Sequence, residues 1–193
     1  MLDEQLLTAA AAGDAAAVRE AVTEGANLEA RDGRRRTALL LASAADHVEV
    51  AQILVAAGAD PDALDSQHDT PWLVTGVTGS VAMLRTLLPA GPDLTIKNRY
   101  GGISIIPASE RGHVDYVREV LKTDINVNHV NDLGWTALLE AVILGDGSEP
   151  YQQIVRLLLD AGANRDLADR DGVTALRHAV AKGQREVAEI LQG

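Results

Sequence analysis

Thr37, Thr70, Ile103, Thr136 and Thr174 each open a copy of one phrase, and the first three steps between them are 33 residues each. The last step is 38, so five residues interrupt an otherwise fixed period, and counting back 33 from Thr37 reaches Glu4, the start of a weaker copy. A period in the thirties leaves no unit with a core of its own. Each unit must bury its apolar face against its neighbours, which predicts a stacked solenoid. The second copy shows how. Small residues at Ala42 and Ser43 let a first helix approach closely, and Asp46-His47 breaks the apolar pattern at a turn. Val50, Ile53 and Leu54 give an i, i+3, i+4 stripe for a second helix, and Gly58 supplies a left-handed end. The polar, turn-rich segment from Ala59 to Asp69 is long enough for an extended finger before the next Thr.

Composition narrows the function. Aromatic residues are 3% and Phe is absent, so packing rests on Ala, Leu, Val and Ile, as thin, closely spaced helices require. A net charge of −11 argues against a nucleic-acid partner, which needs a positive footprint. The acid excess keeps an elongated chain soluble, or, on a bolder reading, marks a partner with a basic segment. Cys is absent, which removes disulfides, thiolate chemistry and cysteine metal sites. The first residues, Met1 to Leu6, carry acids where a signal peptide needs bases, and no apolar stretch reaches the length of a membrane span. The expectation is a cytoplasmic, soluble monomer without membrane association.

The phrase resembles the ankyrin repeat, whose motif is T-P-L-H-x-A, then G-H, an aliphatic second helix and G-A-D. The matches are Thr70-Pro71, Gly79, Gly91-Pro92-Asp93, Gly112-His113, Thr136-Ala137-Leu138, Gly145, Gly162-Ala163-Asn164, Thr174-Ala175-Leu176 and Gly183, with Gly25-Ala26-Asn27 closing the first copy. The resemblance covers nearly the whole chain. It implies an all-α repeat solenoid, a curved stack of helix-turn-helix units with short β-hairpin fingers along one edge. Residues 1–193 form a single repeat domain on this reading, with copies at 1–31, 32–64, 65–97, 98–130, 131–168 and 169–193, the outer two acting as caps.

Departures from the motif point to particular copies. The family His is replaced by Leu40, Leu73, Ile106, Leu139 and Arg177. In the fourth copy Ile103 stands for the Thr, and Asp124 stands where Gly closes the second helix. Pro107 falls one turn into the expected first helix, at a cost of up to about 3 kcal/mol unless that helix begins later with Pro107 in its first turn. The fifth copy carries the extra residues within Asp146–Gln152, between its two helices. Ser148 or Glu149 is placed there to cap the second helix, with Pro150 in its first turn.

The resemblance also implies a binding surface of fingertips and exposed first-helix sides forming a concave groove. The phase puts groove positions four, seven and eight residues after each Thr. The second copy then contributes Arg34, Arg35, Arg36 and Leu41, and the third Gln67, His68, Asp69 and Val74. The fourth contributes Arg99, Tyr100, Pro107, Glu110 and Arg111. The fifth adds Asp132, Leu133, Trp135, Glu140, Ile143 and Leu144, and the last Arg170, Asp171, His178 and Lys182. Trp135 on its finger is a candidate anchor, whereas Trp72 takes an apolar motif position and reads as core. Glu110 and Glu140, in adjacent repeats and edged by Tyr100 and Trp135, could hold a Lys, Arg or amine, or could simply be solvated. The Arg34-Arg35-Arg36 run is either a solvated finger or a hold for an acidic stretch of partner. No converging set for catalysis, cofactor or metal is visible, since the five His are scattered, with His47 and His113 at turns, His68 and His129 in fingers and His178 on the last first helix. The expected function is a non-catalytic scaffold for a polypeptide partner, with capture of a small cation at Glu110 and Glu140 as the alternative.

Overall fold

Residues 1–193 are described by a computed structural model containing twelve α-helices, one 3₁₀ turn and no β-strand. The chain divides into two compact units, Met1–Arg99 and Tyr100–Gly193, parting inside the finger of the fourth copy. The first unit holds α1 (Leu2–Ala12), α2 (Ala15–Thr23), α3 (Ala38–Ala44), α4 (Val48–Ala56), α5 (Pro71–Thr78) and α6 (Val81–Leu87), then the 3₁₀ turn Leu88–Ala90. The second holds α7 (Ile105–Glu110), α8 (Val114–Val120), α9 (Ala137–Ile143), α10 (Glu149–Asp160), α11 (Ala175–Ala181) and α12 (Arg185–Gln192). Each copy supplies one antiparallel pair. Within a unit the first helices pack in one row, α1–α3–α5 or α7–α9–α11, and the second helices in another, α2–α4–α6 or α8–α10–α12.

Helices of 6 to 12 residues are too short to persist alone, so packing holds them. The first-helix rows are lined by small buried residues, Ala38, Ala42 and Ser43 in α3, Ala137 and Ala141 in α9, and Ala175 and Ala179 in α11, which let the backbones approach. Leu39, Leu54, Leu84, Leu139, Ile154 and Leu158 fill the space behind them. Trp72 is fully buried in α5, as its motif position implies. The hydroxyls of Thr37, Thr70, Thr136 and Thr174 each accept the backbone N–H three residues on, and so cap α3, α5, α9 and α11.

The fourth copy solves its own irregularity. In regular copies the residue four after the Thr donates its N–H to the Thr carbonyl, as Leu41 does to Thr37 at 3.0 Å and Glu140 to Thr136 at 2.9 Å. Pro107 has no N–H to give, which frees the Ile103 carbonyl. Ile103 has no hydroxyl, which frees the N–H of Ile106. These two orphans bond each other at 3.0 Å, α7 starts at Ile105, and Pro107 lies in its first turn. Asp124 does not adopt the left-handed conformation expected of its position. The chain instead leaves α8 through tight turns, Lys122 N–H to Glu119 and Thr123 N–H to Val120.

Two expectations need correction. The fingers are not paired strands: only an isolated bridge, Ala168 to Thr174, forms. The fingers at Asp32, Asp65, Asn131 and Asp169 each open on an acid or amide whose side-chain oxygen takes the N–H groups two and four residues on. A ladder has little backbone left to use, and a single cross-finger bond remains, such as Asn131 to Trp135 at 3.0 Å. The insertion, for its part, is only partly a loop. It lengthens α10 to 12 residues, with Ser148 at its N-cap position and Pro150 in the first turn, yet the Ser148 hydroxyl caps nothing. The Tyr151 hydroxyl donates to the Glu110 carbonyl at 2.9 Å, and a Cβ on Gly145 would run into the Tyr151 ring.

Candidate functional site

In the second unit the first two fingers each present a large apolar side chain. Tyr100 is 55% exposed and Leu133 52%. Their tips are joined by a 2.9 Å bond from the Asp132 N–H to the Tyr100 carbonyl. Trp135, two residues beyond Leu133, is half-buried. At the far end of α9, Ile143 is half-buried and Leu144 is exposed, and Arg111 is exposed after α7.

Beneath these fingers lies an acid that the repeat phase placed on the groove and the structure buries. Glu140 is 4% exposed. The Asn131 side chain reaches it from the finger: its amide donates to Glu140 Oε1 at 2.8 Å, while its oxygen accepts the N–H groups of Leu133 and Trp135 at 3.0 Å. Burial first, and then the Glu110 carboxylate on the neighbouring helix, push the Glu140 carboxyl from 4.5 up to about 7, although the Asn131 bond opposes this. Leu41, Val74 and Pro107, also placed on the groove, are likewise buried. The position four residues after the Thr lies under the returning finger, so it forms the floor of the surface.

The last copy repeats the arrangement with other chemistry. Asp169 opens its finger and takes the N–H groups of Asp171 and Val173. Its second oxygen lies 2.7 Å from His178 Nε2, at the floor position. These bonds hold the Asp169 carboxyl below its usual range. Lys182, read as groove-facing, is engaged elsewhere. Its ammonium donates to the carbonyls of Val142, Ile143 and Gly145, and the Gln184 amide reaches Val142 and Gly145 at 3.1 and 3.0 Å. Together they cap the C-terminus of α9. The sequence signal for this was the insertion after α9, which leaves that helix without a left-handed glycine end.

In the first unit the fingers are charged, and the charges segregate by depth. Asp32, Asp65 and Asp69 are half-buried, while Arg34, Arg35, His68 and Arg99 are exposed. Arg36 is not free for a partner as the sequence suggested, because its guanidinium pairs with Asp32 at 2.7 Å within its own finger. Burial raises the Asp69 carboxyl, with Asp65 adding to this and Arg99 and His68 opposing it. The Arg99 guanidinium donates to the Gln67 side chain at 2.9 Å, and the Ser66 N–H donates to the Arg34 carbonyl at 3.0 Å, joining neighbouring fingers. Arg35 and His68 hold φ of 63° and 60°, where the equivalent Gly101, Gly134 and Gly172 of the second unit hold 71°, 85° and 73°.

No group of three or more His, Asp or Glu side chains converges to hold a metal ion, and no helix is long and apolar enough to cross a membrane. Short helix pairs, a Thr cap on four of the six first helices and turn-locked fingers define a repeat protein of the helix-pair class. The chain belongs to the ankyrin repeat family, whose three-copy model matches residues 6–98, 73–164 and 108–193. It is similar to the ankyrin repeat protein YahD of Escherichia coli K12, at 47% identity over 100 residues, which is 51% of this chain. That match spans 50% of YahD, so the chain covers about half the length of this relative. An ankyrin repeat domain from Acinetobacter baumannii AYE is 49% identical, with a TM-score of 0.93 over 97% of this chain and 95% of that one. The ankyrin repeat protein EF0377 is 37% identical, with a TM-score of 0.95 over 98% and 97% of the two chains. Ankyrin repeats generally mediate protein–protein interaction, and proteins built from them are generally non-enzymatic scaffolds.

Proposed function

We propose that this protein is a non-catalytic, monomeric cytoplasmic scaffold that grips one polypeptide partner through its fingertips and first-helix faces. The apolar contact centres on Tyr100, Leu133 and Trp135, with Ile143, Leu144 and Arg111 at its rim. The observation that carries this reading is the exposure of Tyr100 and Leu133 on two bonded fingertips, beside a Trp that is only half-buried. Aromatic side chains held on a rigid turn lose little entropy on docking and are frequent anchors. The test is affinity capture with the wild-type protein and with Trp135→Ala, compared by quantitative mass spectrometry. A true partner is retained by the wild type and weakened by about 2 kcal/mol or more in the variant. Large loss of thermal stability with partner capture intact would assign the ring to packing instead.

A second reading concerns a cation, either a small amine or a basic side chain of the partner. Burial first, and then repulsion from Glu110, raises the Glu140 carboxyl, so a positive charge beside the pair would favour the ionised form. Binding then draws a proton off Glu140. Calorimetric titration with simple amines near pH 7, in buffers of different ionisation enthalpy, reads that proton. Heats independent of the buffer would remove this reading.

A further inference from the structure

We propose that the fingertips of the first unit form a docking surface for a short acidic segment of a polypeptide partner. This surface is distinct from the apolar one of the second unit and stands whether or not that one binds. Three observations carry it.

The first is segregation of charge. Asp32 and Asp65 turn inward to take backbone N–H groups, Asp32 also neutralises Arg36, and Asp69 is half-buried. The outward side chains are Arg34, Arg35, His68 and Arg99, so the tips are basic on a chain whose net charge is −11. The second is that the Arg34 and Arg35 guanidiniums make no ion pair with the protein's own acids, although acids are abundant. The third is position. Arg35 and His68 stand where the other fingers carry Gly, in a left-handed conformation that side chains adopt only under strain. The Ser66–Arg34 bond sets these two tips side by side. Neighbouring guanidiniums on a fixed turn suit carboxylates, which they can bind in a bidentate way.

A polypeptide fits better than a nucleic acid. A run of phosphates would carry its negative charge beyond a patch this small and onto an acidic body. A short run of carboxylates can end where the patch ends, and screening at physiological salt hides charges more than about 8 Å away.

The experiment is calorimetric titration of the full chain with a synthetic dodecapeptide of alternating Glu and Ser at low salt, with a dodecamer of thymidylate as the second probe. The peptide is expected to bind saturably and to lose about tenfold or more of its affinity in Arg34→Ser/Arg35→Gly. Trp135→Ala should leave that affinity unchanged, which separates this surface from the apolar one. Arg35→Gly alone should weaken the peptide while raising the melting temperature, so a folding defect cannot account for the loss. No saturable peptide binding, or equal affinity in the double variant, would overturn the proposal. So would thymidylate binding tighter than the peptide and lost with the same two arginines, which would make the patch a nucleic-acid site.

Discussion

Glu140 and the finger residue Asn131 show how a single side chain can set the pH response of this fold. The Glu140 carboxyl titrates at about 7 when folded, against 4.5 in the free side chain. Between these values the folded chain keeps a proton that the unfolded chain has lost. Stability therefore falls as pH rises from 4.5 to 7 and levels off above, by up to about 3 kcal/mol. The variant Glu140→Gln keeps an acceptor for the Asn131 amide and removes the charge. Its melting temperature should match the wild type near pH 4.5 and exceed it at pH 8, as thermal melts across that range would show. Arg35→Gly and His68→Gly should each add about 1 kcal/mol to denaturant stability by relieving a left-handed side chain. The repeat phase put Glu110 and Glu140 on adjacent helices, and the structure agrees. It could not show the burial, because that depends on the finger folding back over the helix and delivering Asn131 from nine residues upstream.

At the level of elements, Ile103 and Pro107 act as one device. A threonine at 103 alone offers a hydroxyl to an N–H already bonded, and does so where the side chain is buried. A leucine at 107 alone supplies an N–H that must compete with Ile106 for one carbonyl. Only the double change Ile103→Thr/Pro107→Leu rebuilds the regular start. A double-mutant cycle in denaturant should thus show a favourable coupling of about 1 kcal/mol or more, where independent sites would show none. The sequence left Pro107 either one turn into the helix or in the first turn of a later one, and showed two separate faults, since nothing in the residue order reveals that the two orphaned groups would meet. The α10 extension offers a second test. Gly145→Ala forces a Cβ into the Tyr151 ring and the Ala141 carbonyl, so it should destabilise by about 2 kcal/mol or more in the same assay. The insertion was legible as lying between two helices. Its folding into an added turn of helix, pinned by Tyr151 on the preceding copy, was not, because the pinning residue lies 41 positions from its acceptor.

For the whole molecule the period carried most of the information, because a fixed spacing fixes which residues repeat an environment. It identified the family and the paired helices, and it misjudged the fingers, whose turns are locked by Asp and Asn side chains rather than by strand pairing. Charge is the other global property. With a net charge of −11 and ion pairs that are mostly exposed, self-repulsion outweighs pairing, so added salt should raise the melting temperature rather than lower it. The two tryptophans, finally, fall one to each unit. Trp72 is sealed in the first, and Trp135 is half-buried in the second, with its backbone N–H on the same Asn131 that holds Glu140. The chain thus comes with two intrinsic optical reporters of different colour. In Trp135→Phe, blue-shifted emission from Trp72 tracks the first unit alone. In Trp72→Phe, the redder emission of Trp135 follows the second unit alone, with no dye attached.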